Sequence, residues 1–365
     1  MPSTMRHHVT HFGCIDAMRG IAAICVAIFH YTRLHLPEAG LPEISVALAD
    51  VPYSTWLSPI YTHGEDFVRL FWVISGFVFA HVYWQRDTSA RDFAVARFAR
   101  LYPLHFVTLI LVAVMQIISM KTAGHWQIVE NNDLRHFILQ LFLMDSSLGF
   151  SNGNSFNAPI WSVSAEVFVY VLFFATLPFT KRNPLAASGL LAMISFALLA
   201  QRPEGFIIGQ WVFICSVFFF AGSSCYAMYR ALGGVGPKLV AVIIALCGLT
   251  AAGGLAGNNN MVLLSSCSAT VLALAAVEHI VRGGGRVLRF LGDISYSLYL
   301  VHIPLQIVAL LIVDLMFDGD RSFANHPLTL PIYLAGSILV AYLANVYFEK
   351  PMGRWLRKRL ERPAP

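Results

Sequence analysis

Four groups of polar residues in this chain have types and spacing that can carry group-transfer chemistry. The first begins Ile15-Asp16-Ala17-Met18-Arg19-Gly20 and reaches His30. On a helix, eleven residues at about 100° each return almost to the starting angle, so Arg19 and His30 share one face and lie about 16 Å apart along the axis. Asp16, one turn before Arg19, is placed to pair with it and hold its orientation. Ala23 and Ala27 fall between them on that face and predict an open groove. A neutral imidazole at such a depth can serve as a general base. The plainer reading is a buried histidine bonded to a carbonyl, with Arg19 marking the membrane interface.

The second group is Arg97-Phe98-Ala99-Arg100-Leu101-Tyr102-Pro103, whose two arginines at i, i+3 can grip a phosphate. Arginines on an inner loop are also expected for topology alone. The third, Pro159-Ile160-Trp161-Ser162-Val163-Ser164-Ala165-Glu166, has the composition of a helix start with its caps. Glu166, however, is followed by Val167-Phe168-Val169-Tyr170 and enters the apolar zone. The fourth runs from Gly292 and Asp293 to His302, with Ser295, Tyr299 and His302 at i, i+4, i+7 as one polar stripe. A hydrogen-bond network between helices would explain that stripe. His302 lies about 13 Å beyond Asp293, at the depth of His30, so the two histidines are expected to share a cavity.

The elements that must position these groups are membrane spans. Of the 365 residues, 57% are hydrophobic and 12% charged, against about 25% charged in a soluble globular domain. Apolar runs recur near the length of 20 that a helix needs to cross about 30 Å of hydrocarbon. This excludes a soluble enzyme, a disordered chain and a disulfide scaffold. The expected fold is all-α, a polytopic membrane helical bundle of about ten transmembrane helices. They lie near 15–35, 66–84, 101–119, 165–180, 184–200, 207–229, 237–256, 261–281, 293–314 and 329–348. The apolar stretch 136–144 is too short to cross. With both termini in the cytoplasm, the outer side holds only Arg33, Arg69, Lys121, Arg135, Arg202 and Arg321. The other lysines and arginines, from Arg6 to Arg282 and Arg362, fall inside, as the positive-inside rule requires. Residues 1–365 are read as a single transmembrane domain with a basic tail, 349–365. The six cysteines form no CxxC pair and imply neither disulfides nor a zinc site, so no metal is expected. A net charge of +5 spread over loops gives no stripe for nucleic acid. The first apolar run is expected to be a retained span, not a cleaved signal.

Six segments together resemble the membrane acyltransferase type 3 family, the ten-span bacterial O-acyltransferases of surface and exported glycans. They are Ile15–Gly20 with Phe29-His30, Phe71–Phe77 (FWVISGF), Arg97–Pro103, Trp161–Glu166 (WSVSAE), Ile294–His302 (ISYSLYLVH) and Phe348–Pro351 (FEKP). They occur in family order and cover nearly the whole chain. The resemblance implies an acyl-CoA co-substrate, usually acetyl-CoA, arriving from the cytoplasm, and a location in the bacterial inner membrane. It also implies that Arg19 and His30 match the family's Arg-ten-residues-His motif and Arg97 and Arg100 its Arg-x-x-Arg motif. This chain departs in having Arg69 where many members have Asp directly before the Leu-Phe-Phe run, with Asp66 three residues earlier. It also ends after the bundle, without the periplasmic hydrolase-like domain of some relatives, so the bundle is expected to complete the transfer.

On this reading the protein moves an acyl group to a hydroxyl of a surface polysaccharide or lipid-linked oligosaccharide. His30, Arg19 and Asp16 are the catalytic group, with His30 either deprotonating the acceptor or transiently taking the acyl group. Arg97, Arg100 and Tyr102 bind coenzyme A. Trp161, Ser164, Glu166, Tyr299 and His302 hold the carbohydrate, with Trp161 stacking on a sugar ring. The rival is a proton-coupled transporter or flippase in which buried His and Glu relay protons, though no inverted internal repeat supports it. A scaffold without chemistry would leave the two histidines without a purpose.

Overall fold

The protein is described here from a computed structural model, which covers residues 11–36, 39–41, 46–149, 153–202, 206–281 and 285–360. Arg6, Arg282 and Arg362 lie outside the described residues. The chain is an all-α polytopic bundle. In hydrocarbon every backbone N–H and C=O must be satisfied within its own segment, so apolar runs become helices. The helices are α1 Gly13–Tyr31, α2 Ser54–His63, α3 Asp66–Tyr83, α4 Ala90–Thr122, α5 Leu134–Leu141, α6 Ile160–Arg182 and α7 Pro184–Ala200. They continue as α8 Gln210–Ala231, α9 Pro237–Leu255, α10 Asn259–Val281, α11 Arg286–Met316, α12 Thr329–Ala344 and α13 Lys350–Leu360. Among the described residues, nine helices are long and apolar enough to cross a membrane, the last running from α12 through a π turn, Asn345–Glu349, into α13. The tenth expected span is α7, which at 17 residues is shorter. The stretch 136–144 contributes only α5, eight residues long.

Two helices extend well past their expected ends. α4 starts at Ala90, not near 101, because Ser89 caps it by accepting the Asp92 N–H at 3.1 Å. Arg97 and Arg100 therefore sit on a formed helix, not on a loop. Hydropathy misses this because the first turns of α4 are charged, while a cap needs only one hydroxyl. α11 likewise begins at Arg286, before the expected 293.

The helix ends cluster as alternate crossing requires. The Cys14 N–H donates to Glu278 near the end of α10, Arg91 near the start of α4 donates to the Leu360 carbonyl, and Lys181 near the end of α6 donates to the Arg86 carbonyl. This is the terminal face. The opposite face carries α2, α5 and the segments joining them to the spans.

α1 and α11 cross in close contact because both are small at the crossing. A Cβ on Gly20 would collide with the Leu291 carbonyl, and one on Gly292 would meet Asp16 Cβ at 2.8 Å. Small residues let backbones approach in this way where lipid offers no hydrophobic drive. The same approach overturns the groove expected at Ala23 and Ala27. Both are fully buried, and Ala23 packs against Ile294, Leu298 and Val301 of α11. α11 also holds a proline, Pro304, which removes the N–H that would bond the Leu300 carbonyl. Asn157 Nδ2, from the opposite-face segment before α6, takes up that carbonyl at 3.0 Å. A helix defect thus pins the outer segment beside His302.

Candidate active site

The polar residues of α1, α3, α6 and α11 converge on a narrow cavity of about 50 Å³ inside the bundle, room for a few waters. α1 contributes Arg19, α3 Ser75, α6 Ser162, Glu166 and Tyr170, and α11 Tyr299. On α6, positions 162, 166 and 170 fall one turn apart, so helical periodicity alone presents them to the same side. Glu166 lies against Ser75 and Tyr170, within electrostatic reach of Arg19 and Arg97. Its Oε1 is buried and has no hydrogen-bond partner among the described residues. Asp16 stands 4.0 Å from Arg19 and closer, 2.8 Å, to His11. The expected Asp16–Arg19 pair is present, but loosely.

The two arginines of the Arg97–Pro103 segment divide. Arg100 forms an ion pair with Glu349 of the π turn. The other oxygen of Glu349 accepts from the Ser297 hydroxyl and, at 3.4 Å, from Asn345 Nδ2. Arg97 forms no ion pair among the described residues. Its guanidinium lies over the rings of Phe79 (4.9 Å) and Tyr83 (5.9 Å), and its Nε is buried without an acceptor among the described residues. The two-arginine phosphate grip expected from spacing is thus replaced by one engaged and one available cation. Tyr102 joins neither: its ring stacks with Phe98 (4.7 Å) and Phe106 (6.2 Å), both on the exposed apolar side of α4. Positions 98, 102 and 106 lie one turn apart, and that row faces away from the row of Arg97 and Arg100.

On the opposite-face side of Tyr299 stand the two histidines. The rings of His30 and His302 are nearly parallel, 15° between planes and 5.4 Å between centroids. Arg33 Nε donates to His30 Nδ1 at 3.2 Å, and Gln306 Nε2 donates to the His30 carbonyl at 2.8 Å. Tyr299 links this pair to the cavity: its ring is 6.0 Å from that of His302, and its hydroxyl is 2.7 Å from Ser162 Oγ. The expectation that His30 and His302 share a depth is met. Neither ring lines the space that holds Arg19 and Glu166, whereas Tyr299 does.

Two further expected residues are placed elsewhere. Ser164 is fully buried off the cavity lining, its hydroxyl without a partner among the described residues, because it falls about 200° around α6 from Ser162. Trp161 meets Trp72 edge to face (5.8 Å, 89° between planes) and Trp211 at a tilt (4.5 Å, 50°), so it stands in a cluster of indoles. Sequence reasoning overlooked Ser75, Ser162, Tyr170, Arg33 and Glu349. Helical spacing from Glu166 could have found Ser162 and Tyr170, and an acid at the end of an apolar span could have flagged Glu349. Ser75 lies within the Phe71–Phe77 segment, but its place at the cavity depends on how α3 meets α6.

The model of a family described as an acyltransferase domain matches residues 12–346. The chain is similar to acyltransferase MdmB of Streptomyces mycarofaciens, at 25% identity over 385 residues, covering 97% of this chain and 95% of the relative. No solved structure matches it.

Proposed function

The chain belongs to the acyltransferase domain family, and from that premise we propose that it moves an acyl group, acetyl foremost, from cytoplasmic acyl-CoA to a hydroxyl of a surface or exported carbohydrate in the bacterial inner membrane. The observation that supports this most is a buried carboxylate and an arginine at one cavity, joined through Tyr299 to a stacked pair of histidines. A thioester entering from the terminal face carries phosphates, and Arg97, with an Nε that lacks an acceptor, has the chemistry to hold one. Arg19, with Asp16 beside it, would then hold the donor on its way to the histidines. The space is too narrow for the donor's arm as it stands, so donor binding must spread α1, α6 and α11. Glu166 and the Tyr299–Ser162 pair would position the acceptor, and the His30–His302 pair would exchange its proton. An acceptor on one side and a donor on the other explain why the polar residues sit inside the bundle, where each is costly.

The test is thiol release from acetyl-CoA by the purified protein in lipid nanodiscs, with and without added glycan acceptors. Arg97-dependent binding of coenzyme A together with thiol release supports the reading. Glycan or proton movement without either would identify a transporter instead.

A further inference from the structure

The two stacked histidines are chemically unequal, and their hydrogen bonds show how. Arg33 Nε lies 3.2 Å from His30 Nδ1. A guanidinium only donates, so His30 Nδ1 is the accepting nitrogen and the ring carries its hydrogen on Nε2. His302 Nδ1 lies 3.1 Å from the Leu298 carbonyl oxygen. A carbonyl only accepts, so His302 Nδ1 carries the hydrogen and Nε2 keeps its lone pair. That Nε2 is buried, and no donor among the described residues meets it. A buried acceptor left unmet is unfavourable, which is why such atoms are rare and call for an explanation. An imidazole whose Nδ1–H is anchored on a carbonyl presents the other nitrogen as a base.

Resting on the acyltransferase reading, we propose that His302, through Nε2, is the proton acceptor of the transfer, and that His30, held by Arg33 as the Nε2–H form, is the hydrogen-bond donor beside it. The acceptor hydroxyl gives its proton to His302 Nε2 as its oxygen bonds to the thioester carbonyl carbon. The His30 Nε2–H stabilises the charge that gathers on the carbonyl oxygen. The carbon–sulfur bond then breaks with its electron pair going to sulfur, and His302 Nε2 returns the proton to that sulfur. An ester and a free thiol leave, and both rings end as they began. Arg33 is a positioning residue that acts through His30.

The experiment measures thiol release from acetyl-CoA, with water as the acyl acceptor, in wild type, His302→Gln, His30→Gln and Arg33→Lys. We expect His302→Gln to lower kcat about 1,000-fold with KM unchanged, since its amide offers no basic nitrogen. His30→Gln keeps an N–H and is expected to lose about tenfold. Arg33→Lys loses the Nε–H that fixes the His30 tautomer and is expected to lose about tenfold, as His30→Gln does. Histidine-specific 15N NMR of the unmutated protein provides a second readout that needs no variant to fold, with hydrogen on Nδ1 of His302 and on Nε2 of His30. An inactive wild type overturns the acyltransferase reading and this inference with it. An active wild type with the larger loss at His30→Gln, equal losses at the two histidines, or the opposite tautomers in the spectrum overturns the inference alone.

Discussion

Arg100 and Glu349 stand 249 positions apart in sequence and meet as an ion pair where α4 packs against the π turn before α13. Glu349 is 3% exposed, and Ser297 and Asn345 hold its second oxygen, so one carboxylate ties α4, α11 and the end of α12 together. A buried pair adds little over an apolar isostere, but removing one partner strands the other. Arg100→Ala is therefore expected to destabilise the protein by about 2–3 kcal/mol, less than for a fully buried pair because Arg100 is 30% exposed. Adding Glu349→Gln should restore more than half of that loss. Unfolding curves of the two single variants and the double variant in nanodiscs check this; strictly additive effects would show that the pair is not coupled.

Glu166 is the opposite case, a buried carboxylate with one oxygen unmet. Glu166→Gln keeps shape and removes charge, so its stability should equal or exceed that of wild type while turnover falls about 100-fold or more. Thiol release and thermal unfolding measured on the same preparation separate the two effects. Full turnover in the variant would leave Glu166 a structural residue.

Arg97 has no carboxylate in an ion pair with it among the described residues, so Arg97→Ala is expected to raise KM for the acyl-CoA donor about tenfold, the worth of one charge-assisted hydrogen bond. Tyr102→Phe, on the row facing away, should stay within about twofold of wild type in both kcat and KM. A donor-binding defect in Tyr102→Phe with none in Arg97→Ala would reverse the assignment made from their positions.

Much of this architecture was readable without coordinates, because a bilayer imposes one rule, an apolar helix about 20 residues long, on every span. The same rule made the polar exceptions visible, and Arg19, Glu166 and the two histidines stand where their helical registers put them. What sequence could not supply was rotation between helices. Ala23 and Ala27 suggested a groove because they are small, yet small residues are also what lets α11 close that face. Ser162 and Ser164 are indistinguishable by type, and only the angle at which α6 meets α11 chooses Ser162. Arg97 and Arg100 share a motif, but the partner that separates their roles, Glu349, lies at the far end of the chain.

The segment over the opposite face should be more firmly held in acid. Asp145, between α5 and α6, is fully buried, accepts the Ser155 hydroxyl at 2.9 Å, and has an Oδ2 with no partner among the described residues. Burial pushes its carboxyl up to about 6, against about 3.9 in an unfolded chain. The folded state therefore binds this proton more tightly. The associated stability is complete below about pH 4 and disappears as pH rises through 6, leaving a charged carboxylate buried at a cost of about 2–3 kcal/mol above pH 7. Asp145→Asn, which cannot ionise and retains an oxygen for Ser155, should raise the unfolding temperature at pH 7.5 and leave it unchanged at pH 4. Because Gln140 and Asn157 fasten this segment together and Asn157 reaches the Leu300 carbonyl, hydrogen exchange around 142–158 should slow in the variant at the higher pH. An unfolding temperature below wild type at pH 7.5 would mean that the charged form of Asp145 is stabilised by its surroundings, contrary to what its burial implies.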